Sequence, residues 1–416
     1  MQWKLDRHNF RHMNDPIPLA HYDHPAQFEP LLPAEPLQRE LGLRARSAVE
    51  SALRLQRAAH PAVLEQLREL VREMNSYYSN LIEGQSTHPQ NIARALHHKD
   101  FSATPDVARR QRLALAHIEA EGALEQAHAP ETQVLTSAFL RKAHQELYSR
   151  LAEADRVTDD GHVVEPGALR TDDVLVNRHQ PPTAASIPAF LARIDQAYGK
   201  PWTLDTQLVA TACAHHRAAW VHPFRDGNGR AVRLQTHSAL CSLSAGLWSV
   251  NRGLARRRDE YYARLSDADM ARQGDLDGRG NLSQRMLVQW CEFFIAICED
   301  QVSFMETMLN LGDFKRRLQA LVLVRSQVDK ASGYRPELVI PLHYALTSGP
   351  VSRGEFIQMT GLGERTARNS LQRLLLDGLL ISDTPRGELR LGFPLSSLSV
   401  LFPNLYPEAA TTPIEG

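Results

Sequence analysis

Residues 222–233 read HPFRDGNGRAVR, which places a base, an acid, a glycine-framed turn and two arginines within twelve positions. Such a set suits a bound polyphosphate. The run Asp226, Gly227, Asn228, Gly229 is turn chemistry, because Gly and Asn tolerate left-handed backbone angles. From Arg230 onward the pattern is compatible with a helix, so the turn should open a helix whose free N–H groups and positive dipole end attract phosphate. Arg230 and Arg233, three apart, share a face of that helix and offer guanidinium forks to phosphate oxygens. His222 is the side chain that titrates nearest neutrality and can accept a proton from an attacking hydroxyl. Asp226 is a hard carboxylate of the kind that holds a divalent ion on phosphates. Gly227, Asn228, Gly229, Arg230 and Arg233 are the candidate phosphate contacts. Phe224 reads as an apolar anchor for the loop.

The same twelve residues fit the pattern HxFx(D/E)GNGRxxR, and the chain resembles the Fic proteins, which move AMP from ATP onto a target hydroxyl. The resemblance implies a protein adenylyltransferase that uses ATP and Mg2+ and modifies a Ser, Thr or Tyr. It assigns the base to His222, the magnesium to Asp226, and the phosphates to Asn228, Arg230 and Arg233. A second stretch, SNLIEG at 79–84, fits the (S/T)xxxE(G/N) pattern of the family's inhibitory helix. Ser79 and Glu83 lie four apart on one helical face, and the resemblance makes Arg233 the partner of Glu83, with low basal activity as the consequence. Family members hold their target by strand addition to a hairpin upstream of the motif. Val174, Leu175, Val176 and Asn177 occupy that place here. A tyrosine walls the adenine in relatives, which singles out Tyr261 and Tyr262.

The elements that must position these residues read as mainly α: an all-helical Fic core with a small β-hairpin flap, then a C-terminal winged helix-turn-helix. Residues 1–36 carry Pro16, Pro18, Pro25, Pro30, Pro33 and Pro36, which suggests an extended arm. Val63, Leu67, Leu70, Met74, Tyr78 and Leu81 recur at helical spacing and Gly84 supplies a stop, within a helical region 37–110 that holds the inhibitory helix. The catalytic core spans 111–300, interrupted between Gly167 and Pro182 by the β-branched run VLVNRHQPP. A connecting helix follows at 301–335, and a tail at 403–416.

Residues 336–402 contain two short helical patterns around Gly361-Leu362-Gly363 and a hairpin turning at Pro385-Arg386-Gly387, an order that resembles a winged helix-turn-helix. Arg365, Arg368 and Asn369 are its candidate DNA contacts. Six arginines face five acidic residues between 350 and 391, a weak basic balance for neutralising phosphates, so DNA and a protein partner are equally compatible with the module. Truncation after Arg325 is expected to leave a folded core.

Composition excludes several classes. Lys plus Arg (47) nearly cancels Asp plus Glu (48), so neither a polyanion-binding nor a membrane-surface signature is present. Cys213, Cys241, Cys291 and Cys298 show no CxxC spacing and sit in apolar surroundings, which points to a reducing cytoplasm and to small hydrophobes. His215 and His216 read as buried, hydrogen-bonded residues rather than metal ligands. The candidate partners are a target hydroxyl, DNA or a protein at the C-terminal module, and a second copy in a homodimer, with no membrane. The competing reading is a DNA-binding regulator whose core senses a nucleotide.

Overall fold

The computed structural model describes residues 21–127, 132–176, 179–328 and 333–411, and these are mainly helical. The helices, in order, are α1 (Glu35–Leu55), α2 (Pro61–Ile82), α3 (Pro89–His98), α4 (Pro105–Gln126), α5 (Ser137–Tyr148), α6 (Ile187–Tyr198), α7 (Leu204–Val221) and α8 (Asn228–Ser244). They continue with α9 (Val250–Arg256), α10 (Arg258–Ala268), α11 (Gln284–Leu309), α12 (Leu311–Val328), α13 (Val339–Ser348), α14 (Arg353–Thr360), α15 (Glu364–Leu376) and α16 (Leu395–Leu401). Proline in the first turn pre-sets the starts of α1 to α4, and the Ser283 hydroxyl caps α11. Gly84, at φ +71°, ends α2 in the left-handed region, as its place in the pattern suggests.

The core forms where α7 and α11 pack against α1, and where α8 lies between α5 and α7, with Trp220, Trp248 and Trp290 fully enclosed. The centre of the molecule is α8, although its sequence is not apolar. Its buried polar groups are matched by neighbours: Gln235 donates to the Val134 and Thr136 carbonyls, and Thr236 to the Val232 carbonyl. Burial of this helix is therefore tolerable only in the finished fold.

Four expectations change in the structure. Residues 1–20 of the proposed arm lie outside the described residues, but the part from Pro25 to Leu31 packs rather than extends. Phe28 is enclosed by Phe190 and Trp220, and Arg217 donates to the Pro30 carbonyl. Two apolar side chains bury there, and the carbonyl satisfies a buried guanidinium. The proposed connecting helix is broken at Asn310, which turns to extended backbone (ψ 116°), so that α11 belongs to the core while α12 packs on α13 and α16.

The third change concerns the tail. Its described part folds back on α2: Tyr78 donates to the Leu405 carbonyl and to Glu408, Tyr406 stacks on the Tyr77–Tyr78 pair, and Arg252 donates to the Asn404 carbonyl. The fourth follows from it, because a truncation after Arg325 removes this cover. We expect loss of residues 403–416 alone to destabilise the protein by roughly 2–4 kcal/mol, the worth of uncovering two tyrosines. Urea midpoints of full-length and shortened protein measure it, and equal midpoints would show that the strap adds nothing.

The C-terminal module is built from α13, α14, α15 and a two-stranded antiparallel hairpin, β1 (Leu380–Ile381) and β2 (Arg390–Leu391), in which Leu380 faces Leu391. A further bridge joins Val351 to Leu389, and a Ser352–Glu355 capping box starts α14. Ala367, Leu371 and Leu374 bury one face of α15.

Candidate active site

The end of α7 and the start of α8 form one unit. His222 terminates α7 at φ 48°, ψ 60°, a left-handed conformation, and Gly227 precedes α8 at φ 77°. Between them Phe224 is fully buried against Leu140, Ala218, Ala231 and Val232, which pins the loop from below. Asn228 closes it from within: its Oδ1 accepts from the Phe224 N–H (2.9 Å) and its Nδ2 donates to the Phe224 carbonyl (2.8 Å). The phosphate role expected of the Asn228 side chain is accordingly not what the structure displays. Its amide is engaged on the loop backbone, and the N–H groups of the first turn of α8 are what remains to offer an anion. No side chain caps that turn.

His222 is half-buried, and burial first, then the His179 and Arg170 charges, lower its pKa to about 4. It is therefore a neutral imidazole at physiological pH, able to accept a proton. Asp226 accepts from the Tyr148 hydroxyl (2.8 Å) and the Arg230 guanidinium (3.3 Å) through the same oxygen, Oδ2. Burial would raise its pKa, but Arg230, the Tyr148 hydroxyl and the Gly227 N–H outweigh it and hold the carboxylate ionised. An ionised, half-exposed carboxylate beside an open helix N-terminus fits Mg2+ carried by phosphates. Arg230 is buried and also donates to Gln85 (3.1 Å).

Arg233 belongs to α2 as much as to α8. Its Nε donates to Ser79 Oγ (3.0 Å), and its Nη2 to the Ser79 carbonyl (3.1 Å) and to Glu83 Oε1 (2.6 Å). Burial pushes the Glu83 pKa up, while Arg233 and Arg230 more than reverse it, so Glu83 is held as an anion. A Cβ built on Gly229 would lie 2.3 Å from Glu83 Oε1, so the carboxylate rests directly on the first turn of α8. It is an anion at a helix N-terminus, supplied by the chain itself.

The remaining expected residues divide. Tyr262 is partly exposed and donates to the Ile82 carbonyl (3.2 Å), beside Glu83. Tyr261, its neighbour in sequence, is buried against Trp290 with its hydroxyl on His215 (2.9 Å) and beside the Arg233 guanidinium, so its ring is enclosed rather than open to a ligand. The reason is helical rotation: neighbours on α10 point about 100° apart. At the flap, Val174 and Val176 are half-buried and Leu175 is exposed, and a single antiparallel bridge joins Val176 to His179. Asn177 lies outside the described residues. Arg365, Arg368 and Asn369 are exposed on α15, where Arg368 pairs with Glu364 on its own helix. His215 and His216 are buried and hydrogen-bonded, His215 to Thr236 (2.7 Å) and His216 to the Leu265 carbonyl (3.0 Å).

Several contributors carried no sequence signal. Tyr148 closes α5 and reaches both Asp226 and Arg230, and its ring lies where a Cβ on Gly227 would go. His144 is stacked between Phe224 and Tyr148, accepts from the Gly167 N–H (2.9 Å), and contacts the Asp226 carbonyl (3.0 Å). Arg170 ties the flap to the loop by donating to the His222 carbonyl (2.9 Å). Arg170 lies within the segment Gly167 to Pro182 and Gln85 next to SNLIEG, but neither residue carried a signal of its own.

Buried neutral imidazoles make this centre acid-sensitive. Chiefly by burial, the pKa values of His117, His144 and His215 fall to about 3, about 4 and about 3. An unfolded chain takes up protons near pH 6.5 that the fold refuses, so stability is complete above that pH and declines below it. Each group contributes a slope of up to about 1.4 kcal/mol per pH unit. Urea unfolding should therefore show a midpoint that drops between pH 6.5 and 4, whereas a level profile would mean that these imidazoles accept protons in the native state.

An uncapped helix N-terminus with a neutral imidazole one loop upstream can bind an anion and accept a proton beside it. Residues 134–240 match the family model described as Fic/DOC family. Protein adenylyltransferase Fic of Nematostella vectensis is 29% identical over 195 residues, 46% of this chain and 42% of that protein. Protein adenylyltransferase fic-1 of Caenorhabditis elegans is 33% identical over 145 residues, 34% of this chain and 27% of that protein. The chain thus spans less than half the length of these relatives. A solved Fic family protein from Desulfovibrio desulfuricans G20 aligns at 18% identity with a TM-score of 0.49, covering 84% of this chain and 95% of that one. Among the described residues no helix is long and apolar enough to cross a membrane.

Proposed function

We propose that this chain is a self-inhibited protein adenylyltransferase that moves AMP from Mg-ATP to a Ser, Thr or Tyr hydroxyl. The reading rests on the Fic domain, on relatives named protein adenylyltransferases, and above all on the complete base, carboxylate and arginine set at the open end of α8. His222 takes the proton of the hydroxyl as its oxygen bonds the α-phosphorus, the bond from that phosphorus to the β-phosphate breaks, and pyrophosphate leaves. Asp226 would hold the magnesium, which when bound neutralises charge on the phosphates. The first-turn N–H groups and Arg230 face the phosphate oxygens, and Tyr148 keeps Asp226 and Arg230 in place. Glu83 occupies Arg233 and lowers basal activity. The exposed Leu175 end of the flap offers backbone to an extended target segment.

Intact-mass spectrometry of the purified protein after incubation with ATP and magnesium tests the reaction. An increment of one adenylyl group on a hydroxyl supports it. A phosphoryl increment, or none even in a variant freed of Glu83, overturns it.

A further inference from the structure

We propose that Glu125, His237 and Cys241 form a site for a borderline transition metal, zinc by preference, separate from the phosphate site and independent of the reaction proposed above. Their ligand atoms lie within 4.8 Å of one another. The placement is architectural. His237 and Cys241 are four apart on α8, and Glu121 and Glu125 are four apart on α4, so two helices each present a pair of donors on one face. His237 Nε2 is 3.2 Å from Glu125 Oε1 and 3.4 Å from Glu121 Oε1. A tetrahedral ion with bonds of about 2.0–2.3 Å needs ligand–ligand edges of roughly 3.3–3.8 Å, so little movement separates this arrangement from coordination.

Two buried side chains of the cluster have polar atoms that the protein leaves unsatisfied. His117, one turn before Glu121, is fully enclosed; neither ring nitrogen has a hydrogen-bond partner, and its Nδ1 faces Glu121 Oε2 across 3.9 Å. Asn75 Oδ1 is likewise unpartnered, while Asn75 Nδ2 contacts both Glu121 oxygens (3.0 and 3.1 Å) and His237 Nδ1 (3.2 Å).

The outer surroundings are consistent. Arg72 bonds Glu125 through Oε2 (2.8 Å), so the oxygen that faces His237, Oε1, is the one available to an ion. With a divalent ion bound, the ion and Arg72 together balance two carboxylates and one thiolate. Glu125 and Cys241 are partly exposed, which gives the ion a route in from solvent. The thiol and imidazole favour zinc or cobalt over magnesium, the ion suited to Asp226.

Cobalt(II) is the probe. Chelator-stripped full-length protein titrated with cobalt should take up one equivalent with a thiolate-to-cobalt charge-transfer absorption that zinc then abolishes. Cys241→Ser should remove that absorption, Cys213→Ser and Cys298→Ser should keep it, and His237→Gln should weaken binding roughly tenfold to a hundredfold. Should Cys241→Ser fail to fold by circular dichroism, Glu125→Gln, at a partly exposed position, should weaken binding by at least about tenfold with the absorption retained. No charge-transfer band, a band that survives Cys241→Ser, or unchanged affinity in Glu125→Gln overturns the site.

Discussion

Replacing Glu83 by Gly should raise the rate of self-adenylylation by one to three orders of magnitude. In the wild type the Glu83 carboxylate sits 2.6 Å from Arg233 Nη2 and rests on the first turn of α8. That is where the charge of a polyphosphate would otherwise be met, so an ATP molecule must bind either without its best cation or in a pose that hides the α-phosphorus from in-line attack. One preorganised contact of this kind is worth roughly 2–4 kcal/mol, and the expected acceleration follows from it. The variant leaves Arg233 held by Ser79 Oγ and the Ser79 carbonyl, so the guanidinium stays in place for the nucleotide.

The same substitution should also lower stability. Arg233 is buried, and without Glu83 its charge loses its carboxylate, so the activated variant should melt earlier than wild type. Ser79→Ala should accelerate transfer less, because it removes one of three contacts on Arg233. Initial rates of label incorporation for wild type and the Glu83→Gly variant, side by side with their melting curves, decide the matter. Equal rates would mean that SNLIEG only terminates a packing helix.

The second large effect is expected at His222. In the background freed of Glu83, His222→Ala should lower transfer by roughly 10²–10⁴-fold, the worth of a positioned general base. Binding of a fluorescent ATP analogue should be unchanged, because the nucleotide contacts come from α8 and Asp226. The pH profile adds a signature. With its pKa lowered to about 4, chiefly by burial, His222 is unprotonated across the neutral range, so kcat/KM should hold steady down to about pH 5 and fall only as the imidazole protonates. A fall centred at the ordinary histidine value near 6.5 would place the free-enzyme imidazole in solvent. Full transfer by the alanine variant would remove His222 from the chemistry.

The residues from His222 to Arg233 were legible because the site is local. A left-handed helix end, a buried Phe, a clasping Asn and a glycine before the next helix all act within a dozen positions, and residue types encode such geometry directly. The pairing of Ser79 and Glu83 on one face was equally local, and the resemblance to a known pattern supplied its partner. What the chain could not announce was everything that depends on one atom meeting another far away. Tyr148 reaches Asp226 across 78 positions and Arg170 meets the His222 carbonyl across 52, each through a single hydrogen bond that leaves no periodicity.

By itself, then, the sequence determined the mainly helical class, the glycine-framed turn between α7 and α8 and the acid–base inventory, because period, turn chemistry and residue type are short-range properties. Only the tertiary structure decided that the polar helix α8 runs through the centre, that Tyr261 is enclosed while Tyr262 stays exposed, that residues 405–408 cover α2, and that Glu83 lies on Gly229. These outcomes follow from which buried polar groups and apolar faces find partners. Partner choice is a property of the whole packed molecule, since a buried group is stable only where every neighbouring element supplies its complement.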